Sequence, residues 1–190
     1  MSIKRMAGII FLVLLFAAGV AGGYLYFAKM IPGKNPPVEG TGGIPAKTED
    51  LFSVRIYYPV GNQLQMEERR PPKKSGQMAM AEATVQEYLK GLKGPTGAEI
   101  SAVPKGARLL GVYKGADRIL YVDLSDEIRR NFQGDVFTEY LLLKGLYESL
   151  ISNVEDVQDV KVIIEGKEAE TLGGHLYLLY PIKDMVSYGY

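Results

Sequence analysis

The sequence predicts an α+β domain: a two-layer sandwich with two helices on one face of a mixed or antiparallel sheet, preceded by one transmembrane helix. Three observations lead there. Residues 6–28 run 23 positions without a charge and give way to a segment crowded with proline and glycine. Beyond residue 51, short runs that alternate in β-forming residues are separated by turn residues. Two longer segments place apolar residues three and four apart, the period of a helix with one buried face. Strands and helices interleaved in this way bury their apolar sides against each other in two layers, and no internal repeat is apparent.

The chain opens with Lys4 and Arg5 ahead of the uncharged run Met6 to Ala28. A helix of that length spans roughly 34 Å, enough for a hydrocarbon core of about 30 Å. Tyr24 and Tyr26 suit the interfacial belt at its outer end, and the basic flank places Met1 in the cytoplasm and the rest outside. Gly19-Val20-Ala21 offers a small-residue cleavage site, but the apolar run continues well past it, which favours an uncleaved anchor over a signal peptide. Either way the domain is exported. Residues 29–50 form a linker containing Pro32, Gly33, Pro36, Pro37, Gly40, Gly42, Gly43 and Pro45. If flexible, it reaches roughly 25 Å and holds residues 51–190 off the membrane.

Within the domain, Phe52 to Tyr58 alternates and stops at Pro59, giving a strand. Val60-Gly61-Asn62 is turn chemistry, and Leu64 to Arg70 returns as its hairpin partner. The basic stretch Arg69-Arg70-Pro71-Pro72-Lys73-Lys74 reads as a solvated loop. Gln77 to Leu92 is helical, with Met78, Ala81, Val85, Tyr88, Leu89 and Leu92 on one stripe and Ser75 as its cap. Gly94-Pro95-Thr96-Gly97 is a turn, followed by a loop over 100–106. Arg108 to Tyr113 and Ile119 to Leu124 are strands joined by the turn 114–117. Ser125, followed by Asp126 and Glu127, is expected to cap a short helical turn. Val136 to Ser152 is a helix with a broad apolar face, capped by Asp135. Val160 to Ile164 is apolar enough for a central strand, Gly166-Lys167 a turn, and 177–181 a last edge segment.

Composition excludes several functions. The chain has no cysteine, so disulfides, thiolate zinc sites, a cysteine nucleophile and a lipidated cysteine are ruled out. A single histidine, His175, rules out a multi-histidine metal centre. Residues 51–190 carry 17 Lys and Arg against 19 Asp and Glu. That balance argues against binding duplex nucleic acid, which calls for a basic excess.

The one catalytic candidate set is Asp123, Ser125 and His175, because a Ser-His-Asp arrangement is recognised by geometry and not by order. No Gly-x-Ser-x-Gly elbow exists, and structural roles account for all three: Ser125 as a cap, Asp123 as an acceptor for local backbone N–H groups, His175 as a partner for a backbone carbonyl. Asp156, Asp159, Glu165, Glu168 and Glu170 lie on or near a solvated strand and turns, with no sign of the groove that paired glycosidase carboxylates need. Gly173-Gly174 lacks the Lys-Ser/Thr of a phosphate loop and fits a positive-φ turn.

Three segments taken together resemble a family. They are Gly94-Pro-Thr-Gly97 leading to Ala102-Val-Pro-Lys-Gly-Ala-Arg-Leu-Leu110, Tyr121-Val-Asp-Leu-Ser125, and Glu165-Gly-Lys167 followed by Thr171-Leu-Gly-Gly-His-Leu176. The combination is similar to the GerMN domain of the sporulation and germination protein GerM and of many exported bacterial envelope proteins, over about Phe52 to Pro181. The resemblance implies a small α+β domain, similar in kind to ring-building modules, with a binding or assembly role outside the membrane and no catalysis. The chain departs from it in having one copy where GerM has two, and an apolar anchor where many relatives carry a lipidated cysteine. The candidate binding positions are Arg108, Asp123, Ser125, Gly173, Gly174 and His175, with no catalytic residue, metal or cofactor. The expected partner is an envelope protein or peptidoglycan, with self-association through exposed strand edges. The alternative is a cell-wall hydrolase or transferase using Asp123 and His175.

Overall fold

The computed structural model describes residues 52–187, together with Val20. The expected span 6–28, apart from Val20, and the linker 29–50 lie outside the described residues. Among the described residues no helix is long and apolar enough to cross a membrane.

The elements run β1 (Val54–Val60), β2 (Gln63–Arg69), α1 (Ala79–Leu89), β3 (Leu109–Lys114), β4 (Ile119–Leu124), α2 (Glu127–Arg130), α3 (Val136–Asn153), β5 (Asp159–Ile164), β6 (Lys167–Glu168) and α4 (Lys183–Ser187). The α+β class stands, but the strands form two sheets where one was expected. β1 and β2 make a separate antiparallel hairpin, turned at Gly61 with φ of 56°. The second sheet has the order β3-β4-β5-β6, with β4 and β5 parallel and its other pairs antiparallel, so it is mixed. The parallel pair requires a long crossover, and α2 and α3 fill it.

The separation of the sheets has a local cause. One edge of β1 pairs with β2, and α3 meets the other. Ser149 Oγ accepts the Tyr57 N–H at 2.9 Å, Asn153 Oδ1 accepts the Arg55 N–H at 3.0 Å, and Asn153 Nδ2 donates to the Arg55 carbonyl at 2.7 Å. A strand edge presents a row of unmatched donors and acceptors, and here a helix answers them. The approach is close enough that a Cβ on Gly145 would lie 2.4 Å from the Tyr57 carbonyl oxygen.

The core follows the predicted periodicities. Val54, Ile56 and Tyr58 alternate inward from β1, and Leu120, Val122 and Leu124 do so from β4. Ala81, Val85, Tyr88 and Leu92 are buried from the predicted α1 stripe, while Met78 and Leu89 pack partly exposed against the core. The Tyr58 and Tyr88 rings stack 5.9 Å apart, and burial pushes the Tyr58 phenol up to about 12.

Three expectations need correction. Ser75 does not cap α1: the helix starts at Ala79, with Met78 at the cap position and no side-chain bond there. The turn after β5 is Glu165-Gly166, with φ of 53° and 72°, and Lys167 already belongs to β6. A two-residue hairpin turn with both residues left-handed matches the twist of its strands. Residues 177–181 form no strand. Tyr177 makes an isolated bridge to Thr171, the segment is pinned by Leu178 N–H to the Glu170 carbonyl and Ile182 N–H to the Val160 carbonyl, and α4, which was not expected, follows.

The Asp135 cap is observed: its carboxylate accepts the Thr138 N–H at 2.8 Å and the Thr138 hydroxyl at 2.7 Å. These bonds hold its carboxyl below the ordinary 3.8. The stabilisation is therefore complete above that value and is lost as pH falls through the lower folded-state value. Asp135→Asn, which caps about as well, should remove this share of the acid sensitivity, read from denaturation midpoints as pH is lowered through the carboxylate range. Gly145→Ala should destabilise the domain by about 2 kcal/mol despite alanine's better helix propensity, because the obstacle is backbone. Urea unfolding checks this, and an unchanged midpoint would refute the edge contact.

Candidate functional site

The feature that organises the candidate residues is an acid inside an apolar helix. Glu139 lies on the α3 stripe with Leu143, Leu146 and Leu150, and it is 0% exposed. A buried carboxylate is costly unless its oxygens are fully bonded. Oε1 accepts the N–H groups of Leu172 at 3.1 Å and Gly173 at 2.7 Å, and Oε2 accepts the His175 N–H at 3.0 Å. The His175 ring completes the set, with Nδ1 2.9 Å from Oε2.

The glycines make this wrapping possible. A Cβ on Gly173 would lie 2.4 Å from Phe132 Cε1 and 3.0 Å from Glu139 Oε2, so a side chain there would displace the carboxylate or the ring. Gly174 has φ of 96° and turns the chain so that the next N–H returns to the same carboxylate. The Gly-Gly-His segment is thus a carboxylate cradle. The expected positive φ is found at Gly174, and the His175 ring is bound to a carboxylate where a backbone carbonyl was expected. The ring lies on a side chain 40% exposed, with Nδ1 turned to the carboxylate and Nε2 away from it.

The remaining candidates gather at the end of β4. Asp123 is buried and accepts the Gly166 N–H at 2.9 Å, fastening the β5–β6 turn. The same turn receives the β4–α2 junction: Glu165 N–H donates to the Leu124 carbonyl and the Asp126 N–H to Glu165 Oε1. Ser125 is buried too, but it does not cap α2. Its Oγ accepts the Arg108 N–H at 3.0 Å, and its own N–H donates to the Arg108 carbonyl at 2.9 Å. The cap position belongs to Asp126, without a side-chain bond. The Ser125 hydroxyl also holds the Glu127 carboxyl below its usual range. Arg108 is fixed by its backbone, while its guanidinium is exposed 3.8 Å from Glu127 and borders a shallow hollow of about 290 Å³ beside α1.

The structure therefore sorts the predicted residues into two groups. Asp123, Ser125 and Arg108 knit β3, β4 and the β5–β6 turn; Gly173, Gly174 and His175 wrap Glu139. No hydrogen bond joins Asp123 or Ser125 to His175 among the described residues, and the acid partner of His175 is Glu139. Among the described residues no hydroxyl is bonded to the imidazole either. Among the described residues no cluster of His, Asp and Glu is arranged to hold a metal ion. Sequence reasoning missed Glu139. The available signal was a glutamate sitting on the stripe that holds Leu143, Leu146 and Leu150.

His175 also borders two surface depressions. An apolar cleft of about 330 Å³ lies between Val136, Phe137 and Tyr140 on α3 and Leu176. A wider groove of about 520 Å³ continues past Tyr177, Tyr180 and Asp184. The cradle sets the position of the loop that separates them.

The profile of the Germane family, described as sporulation and spore germination, matches residues 55–170. Among solved structures, the tandem GerMN domains of the sporulation protein GerM from Bacillus subtilis align with TM-score 0.53 and 17% identity, over 71% of this chain and 48% of that one. The chain thus spans about half the length of that tandem. The first GerMN domain of the same protein aligns at TM-score 0.48 and 16% identity, over 68% and 94%. A candidate lipoprotein from Clostridium perfringens aligns at TM-score 0.49 and 16% identity, over 73% and 91%. Comparison with curated proteins gives no match.

Removing the buried acceptor should be costly. Glu139→Ala leaves three backbone N–H groups and a ring N–H without their partner, and should lose about 3–5 kcal/mol. Amide exchange at Leu172, Gly173 and His175 should rise well before global unfolding. Unchanged protection at those amides would show that the cradle does not hold the loop.

Proposed function

The chain belongs to the Germane family of sporulation and spore germination domains, and on that premise we propose that it is a non-catalytic binding or assembly module of the bacterial cell envelope. Residues 6–28 anchor it in the cytoplasmic membrane, residues 29–50 space it from the surface, and residues 51–190 work outside, on an envelope protein or peptidoglycan. One observation carries this reading. The buried polar side chains in and beside the candidate set bond backbone groups of other segments: Asp123 to Gly166, Ser125 to Arg108, Glu139 to the 172–175 loop. Proton transfer or nucleophilic attack needs a side chain aimed at a reacting atom, whereas these groups fasten loops. The uncharged run 6–28 and its basic flank support the anchor and its orientation.

Against the hydrolase reading stands the bonding of Asp123 and His175 to different segments. The exposed edge of β3, with Leu110 and Tyr113 outward, supports self-association by strand pairing as part of the assembly role.

The test is in cells. A protease added to intact spheroplasts should digest the C-terminal domain, and crosslinking of the full chain should recover an envelope protein or wall fragments. Protection of the domain from the protease, or release of soluble wall fragments by the purified full chain, would overturn the proposal.

A further inference from the structure

We propose that the groove running from Phe137 past His175 to Tyr180 and Asp184 is the docking surface for a segment of a partner protein that presents a lysine or arginine beside an apolar residue. This rests on the reading of the domain as a binding module, and it names the site and the chemistry.

Exposed apolar surface is concentrated here. Tyr177 is 57% exposed and Tyr180 72%, with Val136, Phe137 and Leu179 also outward. Contiguous exposed apolar surface on a small domain marks a contact site more often than scattered single residues do. The charge of the groove decides the occupant. Asp184 is its one charged lining residue, and no lysine or arginine lines either depression. Glu170 adds a second carboxylate, accepting the Tyr177 hydroxyl at 3.0 Å. That bond and its charge raise the Tyr177 phenol, with Tyr180 adding to the effect.

Tyrosine faces next to a carboxylate attract ammonium and guanidinium groups. The protein already uses this chemistry at the far wall, where Lys144 Nζ stands 5.4 Å from the centre of the Tyr140 ring and donates to its hydroxyl at 3.1 Å. Lys183, beside Asp184 in sequence, is not among the lining residues, and its backbone N–H is given to Asp159. A cation therefore fits over Tyr177, Tyr180 and Asp184, and its apolar neighbour in the cleft of Val136, Phe137, Tyr140 and Leu176.

The test is a chemical-shift titration of the isotope-labelled full chain in zwitterionic micelles. The probe is a Gly/Ser peptide carrying one Leu-Arg pair, and the control carries Leu-Glu. The Arg probe should move the amides of 136–140 and 175–184 in a saturable way, and the Glu probe should not. Tyr180→Ala should weaken the Arg probe about three-fold, and Asp184→Asn about five-fold. Met66→Ala, at an exposed apolar residue on β2, should have no effect. Added salt should weaken binding. Equal response to both probes, insensitivity to Asp184→Asn and Tyr180→Ala, or no saturable shift overturns the inference. If crosslinking still recovers an envelope partner after such a result, the module reading survives and the groove alone is discarded. A domain found in the cytosol removes the module reading whatever the peptide does.

Discussion

The structure depends on side chains that accept backbone N–H groups which no ladder or helix satisfies. A buried amide without a partner costs as much as a lost hydrogen bond. This small domain has many at risk, because its strands are short and its loops long. Helix α3 answers two sets from its two ends. Near its start Glu139 takes the amides of 172, 173 and 175; near its finish Ser149 and Asn153 take those of β1. One helix thereby holds both the edge of the hairpin and the Gly-Gly-His loop, and its Gly145 permits the closeness this needs.

The same logic works at the end of β4. Asp123 and Ser125 lie in and just after one strand and reach opposite neighbours: Asp123 the turn after β5, Ser125 the backbone leading into β3. A Ser, an Asp and a His in one short domain suggest chemistry on paper. In space each is spent on fastening a different segment. Fastening also shapes the surface, because the loop that Glu139 holds presents His175, Tyr177 and Tyr180 there.

Legibility followed sequence separation. The hairpin β1–β2, the α1 stripe and the Asp135 cap were readable because each depends on residues within one or two turns of each other. The Ser125 cap was misread because a serine before two acids has a local use, and a partner 17 residues upstream outcompeted it. The Ser75 cap failed more simply, since the helix starts after Met78. The groove could not be read at all. Its walls come from α3 and from the segment after β6, and nothing in either stretch alone marks them as neighbours.

By itself the sequence determined the alternation of strands and helices, the class of the domain, the uncharged run at its start, and the three segments that place it in its family. These are properties of local pattern and composition. Tertiary structure alone decided that there are two sheets, that β4 and β5 run parallel, and that His175 pairs with Glu139 and not with Asp123. Those outcomes turn on which buried donor meets which acceptor across 36 or 43 residues of chain. No local periodicity encodes such a match; it is settled when the core closes and every interior amide must find an oxygen.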